Sequence, residues 1–174
     1  VGVSGVPVLI QSHDPKVIID TVRNIAPTFG AIKLEDIKAP ECFEIEDVLD
    51  AELDIPVMHD DQHGTAIVVA AAILNGLKVV DKDISKIKLV TSGAGAAALA
   101  CLELLVDLGL LKSNIWVTDI VGEVYERRTE LMDPQKAPFA QKTDKRKLGE
   151  VIEDADVFLG LSAGGVLKPE MVKR

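Results

Sequence analysis

The chain has 174 residues, enough for one good core or for a small domain sharing a boundary with a second one. Hydrophobic residues make up 48% and aromatics only 3%, which suits an α/β protein whose strands are buried on both faces. A formal charge of −9 with no dense basic cluster excludes a nucleic-acid surface, and the longest apolar stretch, residues 65–73, is too short and alanine-rich to span a membrane.

The two cysteines, Cys42 and Cys101, have no CxxC spacing and no Cys/His neighbours. They read as buried thiols in a reducing compartment rather than as a disulfide or zinc framework. No basic, apolar leader opens the chain, so a cytoplasmic location is expected. The start at Val1-Gly2-Val3 and the finish at Met171-Val172-Lys173-Arg174, inside a helical pattern, read as cut ends.

In chain order, residues 7–10 form a short apolar run suited to a buried strand. Asp14 and Pro15 then supply an N-cap and a first helical position. Val17, Ile18, Val22 and Ile25 follow at helical spacing, until Pro27 and Gly30 stop the helix. Residues 31–34 read as a strand ending in Glu35-Asp36. Pro40 opens a helix whose apolar face is expected at Phe43, Val48 and Leu49. A third strand at 55–58 leads into His59-Asp60-Asp61-Gln62-His63-Gly64, with a long helix over 65–77.

A second block begins with a strand at 88–91, a glycine-rich turn and a helix to about Leu108, which Gly109 ends. Residues 115–118 form the next strand, closed by Asp119. Residues 121–145 are polar and read mostly as loop; 147–152 read as helix and 156–161 as strand. Alternating strands and helices favour parallel sheets with flanking helices. The domain boundary is placed between residues 80 and 81.

Strand, Gly93-Ala94-Gly95-Ala96-Ala97-Ala98 turn and helix are what pyrophosphate binding needs. Gly93 permits the tight turn, Gly95 lets backbone approach the phosphates, and Ala98 lets helix and strand pack closely. The free N–H groups of the helix start face the anion. Asp119 lies at the end of the next strand, where an acid binds the adenosine ribose. Arg127 and Arg128 either offer a counter-charge to the 2′-phosphate of NADP or are solvated loop arginines.

Glu35-Asp36 and Asp60-Asp61 each follow a predicted strand and should emerge at the carboxyl edge of a parallel sheet. Their oxygens suit Mg²⁺ or Mn²⁺, whereas Zn²⁺ is disfavoured without a Cys/His set. The structural alternative is equally concrete. Asp60 and Asp61 precede a helix whose N–H groups they would cap, and Glu35 and Asp36 would be a solvated strand end. His59 and His63 are expected to make local hydrogen bonds.

Two stretches resemble signatures of the bacterial and archaeal malic enzymes: Leu34-Glu35-Asp36-Ile37-Lys38-Ala39-Pro40-Glu41-Cys42-Phe43-Glu44 and Ile55-Pro56-Val57-Met58-His59-Asp60-Asp61-Gln62-His63-Gly64-Thr65-Ala66. The glycine loop and the run from Ala155 to Ser162 agree in order and spacing. The likeness implies the end of an α/β catalytic domain over 1–80, followed over 81–174 by a truncated Rossmann-like NAD(P)-binding domain. It implies (S)-malate oxidation to pyruvate and CO₂ with NAD or NADP, Mg²⁺ or Mn²⁺, and a homodimer without nucleic-acid or membrane partners. By resemblance, Glu35, Asp36 and Asp61 hold the metal and Asp60 assists proton transfer. Gly93, Ala94, Gly95, Ala96, Ala97, Asp119 and Ser162 meet the cofactor. The family's catalytic lysine and tyrosine would precede residue 1, and its asparagine-rich segments would follow Arg174, so the fragment is expected to be inactive alone. Lys33 and Lys38 match neither role. Near the start the match is loose: Ser4-Gly5-Val6 stands where the family usually has an acid followed by Ala-Phe. Malolactic-type chemistry and a non-catalytic nucleotide-sensing or assembly module are the alternative readings.

Overall fold

The computed structural model describes residues 2–173; Val1 and Arg174, the outermost residues of the two expected cut ends, lie outside it. The chain divides into two compact units, one ending at Asp60 and the other beginning at Asp61, well ahead of the boundary expected after residue 80.

The first unit opens without regular structure, so the strand expected at 7–10 is not formed. A strand needs a partner for its backbone groups. No described strand pairs with this run, and Leu9 is 95% exposed. Helix α1 (Pro15–Ile25) starts as expected, with Asp14 accepting from the Lys16 amide at 2.9 Å. Its buried residues are Ile18, Ile19 and Val22. Val17, expected on that face, is exposed, because the packed stripe runs one residue further round the helix.

Strands β1 (Ile32–Leu34) and β2 (Val57–His59) pair in parallel, Ile32 beside Val57 and Leu34 beside His59. The connecting helix α2 (Glu41–Glu52) buries Cys42, Ile45 and Leu49. Leu49 is on that face as expected, whereas Phe43 and Val48 are only partly buried. Ile18, Ile19 and Val22 of α1 meet Leu34, Ile45 and Leu49 in one core.

In the second unit, α3 (Asp60–Val79, with Asp60 assigned to the first unit) begins five residues before the expected start, placing Asp60 and Asp61 in its first turn. Ala66, Ala70 and Leu77 of this helix enter the same core as Leu89, Leu102, Ile115 and Val117, which is why the helix belongs to this unit. Strands β3 (Leu89–Ser92), β4 (Ile115–Thr118) and β5 (Val157–Gly160) form a parallel sheet in the order β4-β3-β5. Helix α4 (Ala96–Asp107) links β3 to β4. It ends at Gly109 (φ 110°), with the Gly109 amide on the Val106 carbonyl and the Leu110 amide on that of Leu105.

Side chains alternate across the strands. Leu89, Ile115, Val117 and Leu159 pack with α3 and α4 residues, whereas Val90, Trp116 and Phe158 pack with Val151 of α5 (Leu148–Val151) and Met171 of α6 (Pro169–Val172). Both faces of the sheet are therefore covered, as parallel sheets require. Among the described residues no helix is long and apolar enough to cross a membrane.

Candidate functional site

The central strand β3 has β4 on one side and β5 on the other, both parallel to it. The chain leaves β3 for β4 and returns to β5 on the opposite flank, so the carboxyl end of β3 is a topological switch point, where open α/β sheets form a ligand crevice. The glycine loop lies there.

Gly93 has φ 121°, and a Cβ on it would overlap the Leu161 carbonyl oxygen. Its amide donates to the Thr118 carbonyl at 2.8 Å, which locks the turn to β4. Gly95 differs: a Cβ there would meet nothing within 4 Å. No protein group requires glycine at this position, so the space in front of it is open to a ligand. Gly95 is also the N-cap of α4 and provides no side-chain cap, which leaves the first amides of a twelve-residue helix without a side-chain acceptor. Ala94, Ala96 and Ala97 flank it, partly buried, while Ala98 is buried against the core side. Ser162, exposed just past β5, brings its hydroxyl to 2.8 Å from that of Ser92 at the end of β3.

Asp119 ends β4 as expected, but its carboxylate is engaged. Arg128 donates to both oxygens at 2.8 and 2.6 Å, Lys136 donates at 3.2 Å, and the Val121 amide donates at 2.9 Å. Burial opposes ionisation of Asp119, yet the hydrogen bonds from Arg128, the Val121 amide and Lys136 outweigh it and hold the carboxyl below its ordinary pKa. Arg128 is thus not a solvated loop arginine, since its side chain is 1% exposed; Arg127 beside it is exposed. Nothing in the sequence between 121 and 145 signalled this packing, because that segment has no hydrophobic period. The same segment buries Lys136 and also Glu123, 1% exposed, with neither Glu123 side-chain oxygen hydrogen-bonded among the described residues. Burial pushes its carboxyl up to about 8.

In the first unit the register that sets Leu34 beside His59 brings Glu35 and Asp60 out at the same end of the β1–β2 pair. Lys33 bridges them: its ammonium is ion-paired with Glu35 and lies 3.2 Å from Asp60 Oδ2. Hydrogen bonds to Glu35 and then Asp60 raise the Lys33 pKa. Asp36 follows with a left-handed backbone (φ 57°). His59 is fully buried, its amide donating to Glu46 at 2.7 Å, and His63 is exposed. The carboxylates are hard oxygen donors of the kind Mg²⁺ or Mn²⁺ takes. Among the described residues, however, no three His, Cys, Asp or Glu side chains form a group that could hold a metal ion.

Comparison with known proteins gives these features a family. The malic enzyme NAD binding domain model matches residues 62–174. The chain is 62% identical to the NAD-dependent malic enzyme of Rhizobium meliloti over 157 residues, 90% of this chain and 20% of that one. It is 54% identical to the NADP-dependent malic enzyme of Escherichia coli, covering 99% of this chain and 23% of that one. It therefore spans about a fifth of the length of these curated relatives. Among solved structures, the malic enzyme from Pyrococcus horikoshii superposes with a TM-score of 0.90 at 42% identity, over 99% of this chain and 42% of that one. The NAD-dependent malic enzyme from Thermotoga maritima gives 0.89 at 39%, over 97% and 45%. With its parallel strands, its glycine turn at the switch point and these matches, the chain belongs to the malic enzyme family and contains that family's NAD-binding domain.

Proposed function

We propose that the chain works within an enzyme that oxidises (S)-malate at C2 with NAD(P)⁺ and releases CO₂ to give pyruvate. The observation that carries this reading is the open, side-chain-free N-terminus of α4 at the sheet's switch point, in a chain that matches the malic enzyme NAD-binding domain. Gly93, Ala94, Gly95, Ala96 and Ala97 would cradle the pyrophosphate, with backbone amides and the helix dipole stabilising its charge. Ser162 would contact the cofactor from the β5 side, its hydroxyl oriented by Ser92.

Asp60 is the residue we assign to proton transfer, at its Oδ2, beside the Lys33 ammonium. Glu35, Asp36 and Asp61 are proposed as metal-holding carboxylates on their sequence pattern and oxygen chemistry. Bound Mg²⁺ or Mn²⁺ would supply Lewis acidity to the C2 oxygen, although the described residues gather no three such side chains into one group. A homodimer is carried over from the resemblance, as is a catalytic-domain role for the first unit, and a cytoplasmic location from the reading of Cys42 and Cys101 as buried thiols.

The test is malate-dependent NAD(P)H formation by the intact protein with Mn²⁺, with pyruvate identified as product. Gly95→Ala should weaken dinucleotide binding measured by calorimetry, and Asp36→Ala should weaken Mn²⁺ binding followed by electron paramagnetic resonance. Lactate in place of pyruvate would instead identify malolactic chemistry. Dinucleotide binding with no malate turnover and no response to Mn²⁺ would leave only a nucleotide-binding module.

A further inference from the structure

The first unit sets a lysine among the carboxylates of its strand ends. Strand β1 is three residues long, and its middle residue, Lys33, turns away from the core that Ile32 and Leu34 join. Glu35 lies two residues further on. Lys33 stands beside Met58 in the register, and Asp60 lies two residues past Met58. A period of two keeps such residues on one side of a strand pair. One ammonium is thereby set between two carboxylates that come from neighbouring strands.

That ammonium is ion-paired with Glu35 and lies 3.2 Å from Asp60 Oδ2. Lys38, on the other side of the Glu35-Asp36 pair, faces Glu41 instead, at 3.4 Å. The Lys33, Glu35 and Asp60 side chains are 53%, 47% and 34% exposed. Pairs this open to water are weak, so the contact can be exchanged for a stronger one. A divalent cation takes carboxylate oxygens at about 2.0–2.6 Å. An ion on either Glu35 oxygen would stand within a few ångströms of the Lys33 ammonium, where like charges repel.

We infer that Lys33 is a resident counter-cation that competes with the divalent ion for Glu35. Metal binding has to displace its ammonium, and the protein's metal affinity is lower than its carboxylates alone would give. The inference rests on the reading of Glu35 as a metal-holding carboxylate and goes beyond it by naming a residue that opposes the ion.

Mn²⁺ titration of the intact protein, followed by electron paramagnetic resonance, tests it on the unsubstituted chain, Lys33→Met and Lys33→Arg. Lys33→Met keeps a long side chain without the charge and should bind Mn²⁺ about tenfold more tightly. Lys33→Arg keeps the charge, pairs with carboxylates at least as well, and should bind no more tightly than the unsubstituted protein. A gain below about threefold in Lys33→Met, a loss of affinity there, or an equal gain in Lys33→Arg would overturn the inference and leave the metal reading standing. If no form binds Mn²⁺, the metal reading of Glu35 itself falls. Should Lys33→Met not fold, reductive methylation of the unsubstituted protein, located by mass spectrometry, decides. Labelling of Lys33 should rise when Mg²⁺ is added, and unchanged labelling overturns the inference.

Discussion

Gly93 and Gly95 sit two residues apart in one turn and are glycine for different reasons. At Gly93 the protein itself forbids a side chain, through positive φ and the Leu161 carbonyl. Gly93→Ala should therefore destabilise the second unit by about 1–3 kcal/mol from backbone strain alone, read by chemical denaturation. At Gly95 only a ligand would object, so Gly95→Ala should cost at most about 1 kcal/mol of stability while lowering dinucleotide affinity. Equal stability losses in the two variants would contradict this division of roles. Glu123 gives a residue-scale pH prediction. Its pKa is raised from 4.5 to about 8 by burial, so the folded state holds the proton more tightly than the unfolded chain. The stability this contributes is full below about 4.5 and is lost as pH rises through about 8. Glu123→Gln, which cannot ionise, should flatten that decline in urea unfolding midpoints measured across the interval. Asp119 acts in the opposite sense: its lowered pKa contributes stability above the ordinary carboxylate range that is lost as pH falls through the depressed value.

At the scale of elements, end signals proved more legible than packed faces. Asp14-Pro15 and Gly109 mark a helix start and a helix end where the sequence put them, because capping depends on a few adjacent residues. Asp14→Ala should cost about 1 kcal/mol and fray α1, detectable as faster amide exchange in its first turn. The buried face of α2 was legible only in part: Leu49 is buried as expected, but Cys42 and Ile45 complete the face in place of Phe43 and Val48, because α1 and β1 decide what they pack against. The run at 7–10 has strand composition but no strand partner among the described residues, and composition supplies no hydrogen bonds. The early start of α3 has a similar lesson: Asp60 and Asp61 were read as a lead-in, yet acids in a first helical turn are favoured by the dipole.

At the scale of the whole molecule, the chain carries separate cores in its two units. Leu102 is fully buried among Leu89, Leu105 and Ile115, so Leu102→Ala should destabilise the second unit by about 2–5 kcal/mol, seen as lost exchange protection in β3. The sequence alone determined the parallel βα order, the glycine turn between β3 and α4, the caps and the family resemblance. These are local patterns, written in neighbouring residues and in periods of two and 3.6. Only the tertiary structure decided where the unit boundary falls and which charges are already engaged. Arg128 and Lys136 reach Asp119 from nine and seventeen residues away along an irregular segment. No periodicity records such a meeting, because a salt bridge in a loop is fixed by the backbone path and by burial rather than by spacing along the chain.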